Sequence, residues 1–400
     1  MQAQSRQWLV IAHRWLGLSL LLWFVMLGVT GSVLVFQDEI DAWLNPVLLI
    51  DNEQRPLPAL NAQRESDRIQ SAQTILEAAL RTFPEAAVER IRMPQRAGEV
   101  FRLVMRERAR IRIGSPRYEA TFSPTNSVSL GARPLQGYGA SAPLLVRTIY
   151  DLHHRVLLGN AGKTAVGVIG ALLLVMISLG FLIALPRKLV SRAWATMVGI
   201  KLGAHPARLI FDLHRSIGVL AFGLLLISTF TGFALAFPDY ARDALSLFSG
   251  TRTLPVVPFL QREDLPDAPL EPLLAAARSA HPAAQITEVH LPQRRSAPLL
   301  IYLRQPDDWQ RRGDTLLLVD SATGVLKLEH DARSRSLGER VFHSLFPIHS
   351  GVAWGAIGRV LMFVAGLLPL CLGITGVLIW RRKQRATAVA RSRKLRTMAS

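Results

Sequence analysis

Four long apolar stretches constrain this chain more than any other feature: about Trp8–Phe36, Lys163–Leu185, Leu209–Phe237 and Ala356–Trp380. None carries an acidic residue in its middle. A helix of about 20 apolar residues crosses a hydrocarbon core, and a core helix of a globular protein rarely stays apolar for so long. Four membrane spans are therefore expected. The first stretch exceeds the ~7–15 apolar residues of a signal peptide. It runs into Val33-Leu34-Val35-Phe36-Gln37-Asp38-Glu39 without a small-residue cleavage site, so it reads as an uncleaved span.

Charge orients the spans. Arg6 precedes the first, and Arg187, Lys188, Arg192, Lys201 and Arg208 lie between the second and third. Arg381, Arg382, Lys383, Arg385, Arg391, Arg393, Lys394 and Arg396 follow the fourth. Short basic segments stay in the cytoplasm, so both termini are expected there, in a bacterial inner membrane. The plan is a first span with its N-terminus (1–37), an outer segment (38–145), a helix leading into the second span (146–185), a basic loop (186–208), a third span (209–237), a second outer segment (238–345), a fourth span (346–380) and a basic tail (381–400). Long outer segments cross to the periplasm largely regardless of charge. The net charge of +18 then reflects in large part flanks facing anionic lipid; the lipid bilayer is the implied partner, and no nucleic acid is expected.

The chain also repeats itself. His13-Arg14-Trp15-Leu16-Gly17 and Thr30-Gly31 recur, at the same internal spacing, as His214-Arg215-Ser216-Ile217-Gly218 and Thr231-Gly232. His153 with Gly159, Gly162, Gly170 and Gly180 recurs as His349 with Gly355, Gly358, Gly366 and Gly376. Met93-Pro94-Gln95 and Leu291-Pro292-Gln293 match in the outer segments. The fold class that follows is an α-helical membrane protein: four transmembrane helices from a tandem duplication, in parallel orientation, with two periplasmic α+β modules. In the modules, Ser71–Thr82 and Glu271–Ala280 show a helical apolar period closed by Pro84 and Pro282. Val100–Met105, Arg117–Phe122, Pro298–Leu303 and Thr315–Val319 read as strands, and 320–324 (DSATG) as a turn.

Histidine carries the chemistry. Ionisable residues at membrane spans mark function, and four histidines survive the duplication. His13 and His214 fall at the cytoplasmic ends of spans, and His153 and His349 just outside the periplasmic ends, giving one pair on each side. Imidazole is a common ligand for transition metals. A bare ion wants more than two ligands, and no carboxylate, cysteine or further histidine recurs beside these four. Two facing histidines suit a six-coordinate haem, whose porphyrin supplies the other four nitrogens. Two haems per chain are therefore expected, with His13, His214, His153 and His349 as axial ligands. Gly17 and Gly218 lie one turn from His13 and His214 and within ~40° of them on the helix, leaving room for a flat macrocycle. Gly31 and Gly232 lie 18 residues beyond the same histidines, ~27 Å along the helix, where close helix packing is an equal use for them. The haems are b-type, because the single cysteine, Cys371, allows no C-x-x-C-H attachment. His154 is an alternative to His153, and His343 a residue for the substrate side. The arginines at 102, 106, 108, 110, 112 and 117 either attract an anion or form a solvated strand face. No Walker loop, H-E-x-x-H or G-x-S-x-G is present.

The HRWLG and HRSIG openings, the Thr-Gly endings and the LHHRVLLG element resemble the PepSY-associated transmembrane family over nearly the whole chain. The resemblance implies PepSY-like outer modules. Its inner-membrane ferric-siderophore reductases, such as the ferrioxamine reductase, are similar in having four spans and two bis-histidine haems. It implies His13 with His214 around a cytoplasmic-side haem, His153 with His349 around a periplasmic-side haem, a ferric siderophore as substrate and a cytoplasmic or membrane electron donor. Iron(II) holds hard oxygen donors more weakly than iron(III), so one electron delivered outside releases the metal. The other readings are a haem electron-transfer subunit for a different acceptor and a non-enzymatic, peptide-binding or protease-regulating protein. Histidines at the cytoplasmic ends of spans have no place in the last.

Overall fold

The computed structural model describes residues 3–51, 62–107, 116–186, 191–249, 269–292 and 298–399. In chain order, helices α1 (Ala3–Ser19), α2 (Leu21–Leu34), α3 (Gln37–Leu44), α4 (Pro46–Leu49) and α5 (Ala62–Thr82) precede strands β1 (Ala86–Arg92), β2 (Phe101–Glu107), β3 (Arg117–Phe122) and β4 (Ser129–Pro134). Helices α6 (Ala142–Arg155), α7 (Gly159–Ala184), α8 (Ser191–Val198), α9 (Pro206–Ala236), α10 (Pro238–Ser246) and α11 (Leu270–Ala280) follow. Strands β5 (Gln285–His290), β6 (Leu299–Arg304), β7 (Thr315–Val319) and β8 (Leu326–His330) and helices α12 (Leu337–Ser350) and α13 (Gly355–Ala399) complete the chain. Two compact units result: Met1–Phe36 with Ile149–Ala241 and Leu345–Ser400, and Gln37–Thr148 with Arg242–Ser344.

The first unit is helical. Among the described residues, α7, α9 and α13 are long and apolar enough to cross a membrane, and α1 with α2 makes a fourth such stretch if counted together. The sequence predicts one straight span there, but the structure bends it by 62° at Leu20. The bend follows Gly17 and Ser19, and Gly/Ser pairs are common kink points. In α9, Val219 and Leu220 follow Gly218, and the helix is unbroken. Through the bend, α1 packs on α7 while α2 packs on α13. Small residues allow the close approach: a Cβ on either Gly28 or Gly366 would run into the other's carbonyl oxygen. Ser32 Oγ also donates to the Phe363 carbonyl at 2.7 Å. The basic segment 381–399, read from sequence as a tail, continues α13 as helix, because its alanines, arginines and lysines favour helix.

The second unit holds one antiparallel sheet in the order β4-β3-β2-β1-β5-β6-β7-β8. The two outer segments, predicted as modules, thus share a sheet through β1 and β5, with Ile91 opposite Val289. Strand alternation puts Phe101, Leu103 and Met105 with Leu299, Ile301 and Leu303 on one face, against Ile75 and Ala79 of α5 and Leu273, Leu274 and Ala277 of α11. The opposite face is charged. Arg133 bonds both oxygens of Asp41 at 2.7 Å and Glu119 at 2.9 Å, and Arg102 bonds Glu119 at 2.8 Å. Burial alone would raise the Glu119 carboxyl, but the two arginines override it and hold it at about 2. Arg106 and Arg117 both pair with Glu89. The described arginines of that stretch are therefore matched by carboxylates; 108, 110 and 112 lie outside the described residues.

Candidate functional site: two histidine pairs

Within the helical unit the rings of His13 on α1 and His214 on α9 have centroids 6.4 Å apart at an interplanar angle of 67°. The rings of His153 on α6 and His349 on α12 have centroids 6.2 Å apart at 45°. The pairs are separated along α9. His214 and Gly232, which abuts the His349 ring, are 18 residues apart on this unbroken helix, or ~27 Å.

Each ring is held the same way. A histidine leans on a neighbouring helix at a glycine, and its Nδ1 reaches the carbonyl four residues earlier. The backbone N–H of the glycine already uses that carbonyl, but without a side chain the glycine leaves the second lone pair open. His13 Nδ1 bonds the Met176 carbonyl at 3.0 Å, and a Cβ on Gly180 would lie 2.8 Å from its Cε1. His349 Nδ1 bonds the Ser228 carbonyl at 3.0 Å, and a Cβ on Gly232 would lie 3.0 Å from its Cε1. His153 relates in this way to Leu27 and Gly31, and His214 to Leu372 and Gly376.

Threonines strengthen three of the four. Nδ1 of His153 is 3.0 Å from Thr30 Oγ1, that of His349 3.1 Å from Thr231 Oγ1, and that of His214 2.9 Å from Thr375 Oγ1. Each hydroxyl spends its proton on its own helix, at Met26, Ile227 and Cys371 respectively, so its oxygen accepts. On α7 the matching position is Leu179, and His13 has its carbonyl alone. Carbonyl and hydroxyl acceptors require a proton on Nδ1, which assigns the lone pair to Nε2 in all four rings.

The other residues singled out from sequence do not touch the paired rings. A Cβ on Gly17 would meet only Met176 Sδ, at 3.8 Å, and one on Gly218 only Leu372 Cδ2, at 3.8 Å. His154 lies against the Tyr150 ring at 5.5 Å rather than in a pair. His343 belongs to the sheet unit, its Nδ1 3.5 Å from Asp314 Oδ1. Sequence reasoning did not assign Thr30, Thr231, Thr375, Gly180 or Gly376 to the site. The signal available was the Thr-Gly dipeptide, present at 30–31, 231–232 and 375–376.

No group of three or more His, Cys, Asp or Glu side chains able to hold a metal ion occurs among the described residues. Each pair offers two nitrogen donors, so a metal held there would need its other ligands from elsewhere. Two imidazoles on opposite sides of one metal, each with a bond of about 2.0 Å and about 1.2 Å from nitrogen to ring centre, hold their centroids about 6.4 Å apart. Both separations, 6.4 and 6.2 Å, suit that arrangement.

The model of the PepSY-associated TM region matches residues 10–383. No curated protein matches the chain. With the match covering nearly its whole length and apolar helices of membrane-crossing size, the chain is a membrane protein and belongs to the family of the PepSY-associated TM region.

Proposed function

We propose that this protein is a di-haem inner-membrane reductase that passes single electrons from the cytoplasmic side to a periplasmic ferric siderophore and releases iron as iron(II). The observation that carries the reading is the spacing of the two histidine pairs, 6.4 and 6.2 Å between centroids, with Nε2 free in every ring. The glycine cradles fit the same group, since a Cβ at Gly31, Gly180 or Gly232 would displace a ligand ring. On this reading the bent α1–α2, α7, α9 and α13 are four spans, and the chain is two tandem copies of one unit. The basic segments lie in the cytoplasm and the sheet unit in the periplasm. A separation of ~27 Å along α9 then suits pairs near the two faces of a ~30 Å hydrocarbon core.

Haem, when bound, supplies a one-electron iron couple on each side of the membrane. His13 with His214, and His153 with His349, would hold it through Nε2. The carbonyl and threonine acceptors fix each ring's tautomer and orientation and raise its basicity, as outer partners of ligating histidines do. Gly17 and Gly218 are read as the surface against which the macrocycle packs. The apolar side chains between the pairs, among them Leu20, Phe24, Leu173 and Leu225, exclude water from the intervening layer.

The test is the absorption spectrum of the purified chain, oxidised and reduced, with haem quantified. Two low-spin b-type haems are expected, one lost in His13→Ala or His214→Ala and the other in His153→Ala or His349→Ala. The reduced protein is expected to be reoxidised by ferric siderophores; haem that is indifferent to them would point to another acceptor. A colourless protein after expression with ample haem refutes the electron-transfer reading and leaves a peptide-binding regulator.

A further inference from the structure

The turn after His153 is strained. Helix α6 closes with Val156 N bonded to the Leu152 carbonyl and Leu157 N to the Asp151 carbonyl, a closure that normally uses glycine in the left-handed region. Here Val156 has φ +42° and Leu157 φ +61°. The left-handed region is unfavourable for any residue with a Cβ, and it suits a β-branched residue least. Helix α12 ends instead on Gly351, at φ +77°. The strained turn is also clamped, because Gly162 of α7 sits so close to the Arg155 carbonyl that no Cβ fits.

The clamp fixes two side chains with unused polar atoms, the Arg155 Nε–H donor and the His154 ring nitrogen Nδ1. Arg155 Nε and His154 Nδ1 are buried and have no hydrogen-bond partner among the described residues, which leaves the desolvation of each uncompensated. The charged neighbours acting on His154 are Arg155, Lys163 and Asp151, two cations against one carboxylate. His154 in turn is close enough to act electrostatically on both His153 and His349. Strain, an unsatisfied arginine donor and an excess of positive charge in one turn are costly unless they meet an acceptor from outside the chain.

We infer that His154, Arg155 and Lys163 form a receptor for carboxylate-type oxygen anions beside the His153/His349 pair. The inference rests on the haem reading above. The anion has two possible sources with the same chemistry: the carboxylate side chains of the bound haem, or an acidic ferric complex arriving at it.

Arg155→Gln, Lys163→Gln and the double variant of the full chain test it, with Arg155→Lys as the charge-conserving control. Haem at each pair is quantified before and after exposure to a haem-scavenging apoprotein. Reoxidation is followed with ferric citrate as the anionic acceptor and with a cationic ferric trihydroxamate. Loss of a charge-assisted hydrogen bond is expected to weaken its target about 10- to 100-fold. If the haem supplies the carboxylates, the His153/His349 haem alone is lost faster, and Arg155→Lys restores part of it. If the substrate supplies them, haem is retained and KM rises for ferric citrate only, with kcat unchanged. The His13/His214 haem reports in each variant that the chain is folded. Haem retention and both KM values within twofold of the parent overturn this inference alone; a colourless parent overturns it together with the haem reading.

Discussion

Four glycines cradle the four histidine rings at graded distances, and on the proposed di-haem reading alanine at each should give a graded loss of haem. The built Cβ lies 2.8 Å from the ring at Gly180, 3.0 Å at Gly31 and Gly232, and 3.4 Å at Gly376. Carbon atoms rest at about 3.5–4.0 Å, so Gly180→Ala must push His13 back by about 0.7 Å or more, and Gly376→Ala must move His214 by a few tenths at most. A retreat of that size takes the 3.0 Å bond from His13 to the Met176 carbonyl beyond hydrogen-bond length. Overpacking of about 1–3 kcal/mol plus about 1 kcal/mol for the bond weakens haem retention at this pair by about 30- to 1,000-fold. Gly376→Ala, acting on the same pair, should cost under about 1 kcal/mol, or less than about fivefold. The helix itself responds with the opposite sign, since alanine in a helix interior gains about 1 kcal/mol over glycine. Without a metal to hold it the His13 ring can swing aside, so haem-depleted Gly180→Ala should lose about the one Met176 bond that the helix gain offsets and melt close to the haem-depleted parent, while its holo form loses haem. The assay is transfer of haem to an apoprotein scavenger beside thermal unfolding of the depleted chains. Equal losses in Gly180→Ala and Gly376→Ala, or none in either, would refute the argument that the glycine leaves space for the ring.

Thr231→Val and Thr30→Val remove an acceptor from Nδ1 while His349 and His153 keep a carbonyl. Haem should stay, and its potential should rise by about 20–60 mV, from about 0.5–1.5 kcal/mol per bond at 59 mV per tenfold for one electron. Leu179→Thr should lower the potential at the other pair, and a potentiometric titration with no shift in either direction contradicts the role given to these hydroxyls. In the sheet unit, Glu119 and Glu288 are both held at about 2 although burial raises them, because Arg102 and Arg133 act on the first and His290, Arg92 and Arg90 on the second. A depressed carboxylate stabilises the fold above its unfolded value near 4.5 and ceases to do so as pH falls through its folded value, so each contributes a few kcal/mol that disappears between about pH 4.5 and 2. Amide hydrogen exchange of β3 and β5 should accelerate in that window, and Glu119→Gln should flatten the response at β3; exchange independent of pH beyond the intrinsic rate would count against the network.

What the sequence made legible follows from how local each signal is. The apolar stretches and the histidines needed only composition and spacing. Strands β2 and β6 alternate, with Phe101, Leu103 and Met105 buried between half-buried neighbours, and β3 and β7 are short runs rich in aromatic, β-branched and aliphatic residues, so all four were readable. Strands β1 and β5 were missed because each carries an irregularity in register, at Glu89 and at Thr287, which breaks the period-two pattern; their outward positions also hold Arg90, Arg92, Glu288 and His290. That same seam joins the outer segments into one sheet, a pairing between residues nearly two hundred positions apart that no local pattern encodes. The bend at Leu20 was hidden because an apolar run looks the same straight or bent. The threonine acceptors were hidden because a polar residue on a helix reads first as a bond to its own backbone, which each also makes.

Gly17 and Gly218 permit a sharper test than the cradle glycines, because the protein alone leaves room there. A Cβ at either meets one side-chain atom at 3.8 Å, an ordinary van der Waals contact. Alanine should fit both helices without a clash and add roughly 1 kcal/mol of helix stability each, so the haem-depleted chain should melt at the same temperature or higher. If a macrocycle lies against these helices one turn from His13 and His214, the two added methyl groups face it, not the protein, and the haem of this pair alone should be retained about 5- to 150-fold less well, the overpacking cost of about 1–3 kcal/mol. The His153/His349 haem is the internal standard. Gly218 lies in an unbroken helix with no neighbouring side chain to account for a loss, so the single variant Gly218→Ala reports on the macrocycle directly, whereas Gly17 also precedes the bend at Leu20. Full haem retention in the Gly17→Ala/Gly218→Ala double variant would show that these glycines serve only the helix, and would move the macrocycle to another face of α1 and α9.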